Sequence, residues 1–182
     1  MNIETSEIKD LVILTPDVFE DERGFFFESF NKSKLSDLGI NLSFIQDNQS
    51  FSKQGVLRGL HYQNPPFAQT KLVRVLHGEI LDVAVDLRKD SPTFGKSFSI
   101  YLTAGNRKQL LIPQGFAHGF SVISDSAIVM YKCDNCYDRE SEGGIRFDDK
   151  TLNIDWGINL NEAIISGKDL VLPSFENCNS KF

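Results

Sequence analysis

The chain reads as one all-β domain spanning 1–182, a sandwich or barrel of the jelly-roll kind with a few short helices, on three observations. Apolar residues alternate with polar ones in short runs, the signature of strands with one buried face. Turn-forming clusters separate the runs: Asp90-Ser91-Pro92, Ala104-Gly105-Asn106, Ile112-Pro113-Gln114-Gly115 and Glu142-Gly143-Gly144. The aromatic residues, 15 Phe and 4 Tyr against a single Trp, fall within these runs rather than along helical stripes.

In chain order, Ser33 to Leu38 closed by Gly39 predicts a helix of little more than a turn or two. Gly55 to Gln63 predicts a strand that carries two polar interruptions, Arg58 and His61. Val73 and Val75, then Val83, Val85 and Leu87, alternate with polar or small residues on either side of His77-Gly78, and predict a hairpin turning there. Phe98, Ile100 and Leu102 predict the next strand, Pro113 to Phe120 another with His118 inside it, and Ala127, Val129 and Tyr131 a further one. Asn161 to Ile165 predicts a second short helix.

Composition narrows the class of function. With 41% hydrophobic and 24% charged residues, the chain has the makeup of an ordinary globular protein. A net charge of -6 and a pI near 5.1 leave no basic footprint for duplex nucleic acid or an anionic membrane. An anionic ligand would therefore be met by a local cluster of cations. The amino-terminal MNIETSEIKD lacks a basic region followed by an apolar one, and no long apolar run occurs, so a cytoplasmic location is expected. Three cysteines are too few for a disulfide framework. Cys133 and Cys136 form a C-x-x-C with no second pair to complete a zinc site, and are read as chance spacing.

Polar residues inside apolar strands mark where chemistry could sit. Arg58 and His61 have opposite parity on a strand, which puts them on opposite faces unless a bulge at Gly59 intervenes. Gly55 to Gln63 and Pro113 to Phe120 together resemble the paired motifs of the cupin superfamily of small β-barrels. The second motif keeps His118. The first keeps His61, but Gln63 and then Phe67 or Ala68 stand where further metal ligands would be. Two of four ligands remain, too few for a zinc or iron site, and a histidine without a metal can act as a general base.

A closer resemblance rests on eight segments in order: Asp21-Glu-Arg-Gly-Phe-Phe-Phe-Glu28, Gln46-Asp-Asn48, Leu57-Arg-Gly-Leu-His-Tyr-Gln63, Lys71-Leu-Val-Arg74, Asp86-Leu-Arg-Lys-Asp-Ser-Pro-Thr-Phe-Gly95, Ile112-Pro-Gln-Gly-Phe-Ala-His-Gly-Phe120, Tyr131-Lys132 and Lys168-Asp169. Together they resemble the motif set of the dTDP-4-dehydrorhamnose 3,5-epimerase family. The resemblance implies a cupin-type jelly-roll barrel, no metal and no cofactor, a dTDP-sugar substrate, a homodimer and a place in dTDP-L-rhamnose synthesis.

By the same resemblance His61 is the base, Asp169 its orienting partner, Tyr131 the proton donor, and Lys71 the cation at the enolate oxygen. Arg23 and Arg58 match substrate-binding arginines, and Glu28, Gln46, Asp47, Asn48, His118, Glu142 and Lys168 match other substrate contacts. Phe26, in the Phe25-Phe26-Phe27 run, is expected as an apolar platform for the base, and Tyr137 as a further substrate-binding residue. Cys136 stands where many relatives carry a second tyrosine. The segment from Arg23 to Glu28 is expected to reach the site of the other protomer. Such chemistry needs a base, an acid opposite it and a cation at the enolate, and this sequence holds candidates for all three. The alternatives are a single-carbon epimerase or 3,4-ketoisomerase on another dTDP-deoxysugar, a metal-dependent cupin oxygenase, and a sugar-nucleotide binding module without catalysis.

Overall fold

A computed structural model describes residues 1–182. Its elements in chain order are β1 (Asn2–Thr5), β2 (Val12–Thr15), β3 (Phe19–Asp21), β4 (Gly24–Phe26), α1 (Lys32–Asp37), β5 (Gln46–Lys53), β6 (Val56–Gln63), β7 (Lys71–His77), β8 (Glu79–Asp86), β9 (Ser97–Thr103), β10 (Gln109–Ile112), β11 (Phe116–Val122), β12 (Ser126–Cys133), β13 (Glu142–Gly144) and β14 (Ile164–Ile165). One sheet runs β1-β2-β10-β7-β12-β5, and the other runs β13-β6-β11-β8-β9 with β14 added to β6. This is the all-β jelly roll expected of a cupin. No helix is long and apolar enough to cross a membrane.

The inner faces of the two sheets bury one apolar cluster, which includes Ile13, Val73, Val75, Ile80, Leu102, Leu110, Phe120 and Val129. Strand β8 is buried on both faces. Ile80 and Ala84 point into that cluster, while Leu81, Val83 and Val85 belong to a second one on the outside of the sheet. The chain after Ile145 covers that outer face, with Trp156 1% exposed and its Nε1–H donating to the Phe147 carbonyl at 2.8 Å. Each large side chain so buried is worth about 1.5–3 kcal/mol. That packing ties the carboxy-terminal segment to the sheet that carries His61. Helix α1, capped by Asn31, lays Leu35 over the outside of the other sheet against Leu14, Leu72 and Leu111.

Two expectations are corrected. Strands β7 and β8 do not form a hairpin: β7 pairs with β10 and β12, and β8 with β11 and β9. At Gly78 the chain passes from one sheet to the other. Its φ is +77°, and a Cβ there would lie 2.0 Å from the Ser126 carbonyl oxygen. Alternation on either side of a tight turn reports which residues face inward, and is blind to which neighbour each strand pairs with. The second correction concerns the expected helix at Asn161 to Ile165, where Ile164 and Ile165 instead form a two-residue strand parallel to Val56 and Leu57 of β6.

Candidate active site

A cavity of about 500 Å³ opens between the sheets, lined by Ser50, Arg58, His61, Lys71, His118, Tyr131, Lys168 and Asp169 among others. Its walls come from both sheets. His61 and Arg58 sit on β6 and His118 on β11, while Lys71 projects from β7 and Tyr131 from β12.

The condition placed on Gly59 is met. His118 pairs with His61 and Phe120 with Arg58, so β6 uses three steps where β11 uses two, and the ladder bulges between them. The bulge turns Arg58 and His61 into the same cavity. It requires glycine, because φ at Gly59 is +118° and a Cβ would lie 2.6 Å from the Gly119 Cα. It also frees the Gly59 N–H, which donates to Asp169 Oδ2 at 3.2 Å.

Asp169 is brought to this point by β14 and the turn behind it, where its own N–H donates to Ser166 Oγ at 3.1 Å. Its Oδ1 lies 2.7 Å from His61 Nε2. Burial pushes the Asp169 pKa up, but the His61 bond and the Gly59 and Ser166 bonds outweigh it, and the net shift is downward. An ionised carboxylate therefore faces Nε2 and favours a proton there, leaving Nδ1 as the free ring nitrogen. In the opposite sheet, burial raises the Tyr131 pKa, so the side chain is a phenol at neutral pH. The Lys71 Nζ lies 5.9 Å from the Tyr131 ring centroid. Burial lowers the Lys71 pKa, and Cys133, Asp82 and Glu142 push against that shift.

Arg58 donates through Nε to Ser52 Oγ at 3.0 Å and through Nη2 to the Phe51 carbonyl at 3.3 Å, and pairs with no carboxylate. Its charge is available to an anion. Gln46, Asn48, Tyr137 and Glu142 do not line this cavity, but one hydrogen-bonded chain ties them to Lys168, which does. Gln46 donates to Asn48 at 3.0 Å and accepts from the Tyr137 N–H at 3.1 Å. The Tyr137 hydroxyl donates to Glu142 at 2.9 Å, and Glu142 pairs with Lys168 at 2.6 Å. Burial raises the Glu142 pKa, and the bonds from Lys168 and Tyr137 bring it below the usual carboxylate value.

Four further expected contacts also lie outside the cavity and are not joined to that chain of hydrogen bonds. Asp47 points outward and pairs with Lys132 at 2.9 Å, because residues 46, 48, 50 and 52 take the inner face of β5. Arg23, Phe26 and Glu28 are outside the cavity. Arg23 and Phe26 ride on the hairpin of β3 and β4, their side chains respectively paired with Asp21 and 67% exposed, and Glu28 pairs with Lys34. Phe25 and Phe27 stack on each other at 5.9 Å, over Arg107 and Arg74 respectively. At the position of the missing metal ligand, Gln63 instead clamps two loops, donating to the Phe67 and Cys136 carbonyls and accepting from the Asp138 N–H. No three His, Cys, Asp or Glu side chains are arranged to hold a metal ion, so the donor set does not fit a metal-dependent cupin oxygenase.

Asp82, absent from the expected site, lies behind His118 with Oδ1 2.8 Å from Nε2. The run Ile80 to Val85 carried the signal. Its apolar residues occupy both parities, which marks a strand buried on both faces, so a carboxylate within it must have a partner.

The model of the family described as dTDP-4-dehydrorhamnose 3,5-epimerase matches residues 5–177. A protein of that name from Shigella flexneri is 52% identical over 171 residues, 93% of each chain. The crystal structure of dTDP-4-dehydrorhamnose 3,5-epimerase from Elizabethkingia anophelis superposes with a TM-score of 0.93 at 50% identity, covering 97% of both chains. A Legionella pneumophila dTDP-6-deoxy-D-glucose-3,5-epimerase, in complex with dTDP-4-keto-L-rhamnose, superposes with a TM-score of 0.92 at 46% identity, covering 97% of this chain and 93% of that one. With the family model matching nearly the whole chain, relatives of about 50% identity over more than nine-tenths of it and a matching fold, the chain belongs to the dTDP-4-dehydrorhamnose 3,5-epimerase family.

Proposed function

We propose that this protein is an isomerase that inverts C3 and C5 of dTDP-4-dehydro-6-deoxy-D-glucose, giving dTDP-4-dehydro-L-rhamnose in the route to dTDP-L-rhamnose. The observation that carries the reading is the placement of His61, backed by Asp169, on one sheet and Tyr131 with Lys71 on the other, facing one cavity. Inversion at a carbon next to a ketone removes a proton from one face and returns one to the other. Here His61 takes the proton and its imidazolium is stabilised by Asp169, while the phenol of Tyr131 gives a proton from the opposite wall. Lys71 lies near Tyr131, and its ammonium favours the enolate oxygen at C4. Arg58, with His118 and Lys168, meets the diphosphate, and the hydrogen-bonded chain of Gln46, Asn48, Tyr137 and Glu142 that leads away from Lys168 meets the nucleoside.

The working form is a cytoplasmic homodimer in which the partner's hairpin completes the site. Supporting this, Arg23, Phe26 and Glu28 match substrate-contact positions of the family yet lie outside their own cavity, on or beside a hairpin whose Phe19, Phe25 and Phe26 are 60% or more exposed. The family match over 5–177 supports treating the chain as one catalytic domain.

Incubating the protein with dTDP-4-keto-6-deoxyglucose in heavy water tests the reading. Deuterium is expected at both C3 and C5 of the L-configured product. Label at one carbon alone would instead identify a single-carbon epimerase.

A further inference from the structure

We propose that Arg107 is a positioning residue of this reaction: together with Arg74, its guanidinium clamps one face of the β3–β4 hairpin to its own chain and so fixes the opposite face, which carries Phe26, for the substrate. The proposal rests on the reading of that hairpin as completing the partner's cavity. Strands β3 and β4 pair only with each other, and a two-stranded hairpin is marginal by itself in water. Glu20 and Phe25 are one cross-strand pair and face one way, while Phe19 and Phe26, the next pair, face the other. Arg107, in the loop between β9 and β10, grips both members of the first pair. Its Nη2 donates to Glu20 Oε1 at 3.2 Å, and its Cζ lies 4.4 Å from the centroid of the Phe25 ring.

The grip continues along the chain that leaves the hairpin. Phe27, stacked on Phe25, lies with its ring centroid 5.2 Å from the Cζ of Arg74, a guanidinium with no carboxylate partner. Arg74 and Gln109 are register partners of β7 and β10 on the face turned away from the core, and Gln109 donates to the Ser29 carbonyl at 2.8 Å. Arg107 itself stands where an arginine fits poorly. Its φ is +56°, in the left-handed region that favours glycine, and its Nε is buried without a partner. Glycine would hold the same turn, closed by the Arg107 N–H donating to the Thr103 carbonyl at 3.2 Å, without either penalty. An ion pair with a glutamate whose side chain is 66% exposed offsets little of that cost, so the side chain's place calls for a duty, and the hairpin supplies it.

Arg107→Gly removes the guanidinium while relieving the backbone, and so separates the clamp from the fold. Its Tm is expected to equal or exceed that of the wild type. Amide hydrogen exchange between Phe19 and Phe26 is expected to quicken about 10-fold or more. KM is expected to rise about 5- to 20-fold with kcat within about threefold, since a loosened hairpin weakens binding of substrate and transition state alike. Unchanged exchange in the hairpin would overturn the clamp. Arg107→Lys keeps the charge but not the planar stack, and stands beside the glycine variant in case that one fails to fold. Its KM is expected to rise about two- to fivefold, and an unchanged value would overturn the proposal. Arg23→Ala separates this failure from that of the underlying reading. A raised KM in Arg23→Ala beside a wild-type KM in Arg107→Gly would overturn the clamp, whereas a wild-type KM in both would overturn the hairpin as part of the site.

Discussion

His61 and Asp169 stand 108 positions apart and meet at 2.7 Å, and their substitutions separate the base from its orienting group. His61→Ala is expected to abolish deuterium exchange at both carbons and to lower turnover about 100-fold or more, the contribution typical of a general base. Asp169→Asn retains the imidazole but disturbs its tautomer and the stabilisation of its cation, so a smaller loss is expected. Tyr131→Phe keeps the ring that lies beside Lys71 and deletes the hydroxyl, and proton removal is expected to continue without delivery from the opposite wall. Wash-in of deuterium with the original configuration should then exceed net inversion. A His61→Ala protein that still exchanged at a near-normal rate would transfer the base to another residue, with His118 the nearest candidate by register.

At the scale of the element, β6 positions the site through one inserted residue, and β8 continues into a buried charged knot. Asp86, 0% exposed, accepts from the Arg88 side chain at 2.8 and 2.9 Å, from Ser91 at 2.6 Å and from Thr93 at 2.7 Å. Arg88 in turn lies 4.6 Å from the Phe116 ring centroid and pairs with Asp10. The segment Asp86 to Gly95, one of the family-like strings, is thereby explained as scaffold. Burial pushes the Asp86 pKa up, and these bonds more than reverse it, to about 2 from the usual 3.8. A carboxyl whose folded pKa is depressed stabilises the fold above its unfolded value, and that contribution drains away as pH falls from about 4 through about 2. It is expected to be on the order of 2 kcal/mol. Urea unfolding at pH 4 and pH 2 checks this: the wild type should lose more stability across the interval than Asp86→Asn, and equal losses would contradict it.

For the whole molecule, the hairpin of β3 and β4 decides whether one chain suffices. It has no place in the core, exposes Phe19, Phe25 and Phe26, and carries a guanidinium whose only partner is Asp21 in the same hairpin. If it completes the partner's cavity, co-expressed Arg23→Ala and His61→Ala chains should recover activity that neither has alone. Random pairing makes half the dimers mixed, and each mixed dimer holds one intact site, so about a quarter of wild-type activity is expected. No recovery in dimers verified by mass spectrometry, or a fully active monomer by light scattering, would place the hairpin outside the site.

Much of this protein was legible before any tertiary structure. Period-two alternation marked Phe98 to Leu102 and Ala127 to Tyr131 as strands, and the ordered strings from Asp21 to Asp169 carried the family, because both are local properties of a chain. Parity even allowed the bulge at Gly59 to be foreseen as the condition for Arg58 and His61 to share a face. What required the tertiary structure was pairing between distant segments. The crossing of sheets at Gly78, the outward turn of Asp47 and the parallel strand at Ile164 depend on which surfaces meet, as does the fastening of Asp82 behind His118, 36 residues away. An alternating pattern names the buried face of a strand, and only the packing of one sheet on another decides what lies across from it.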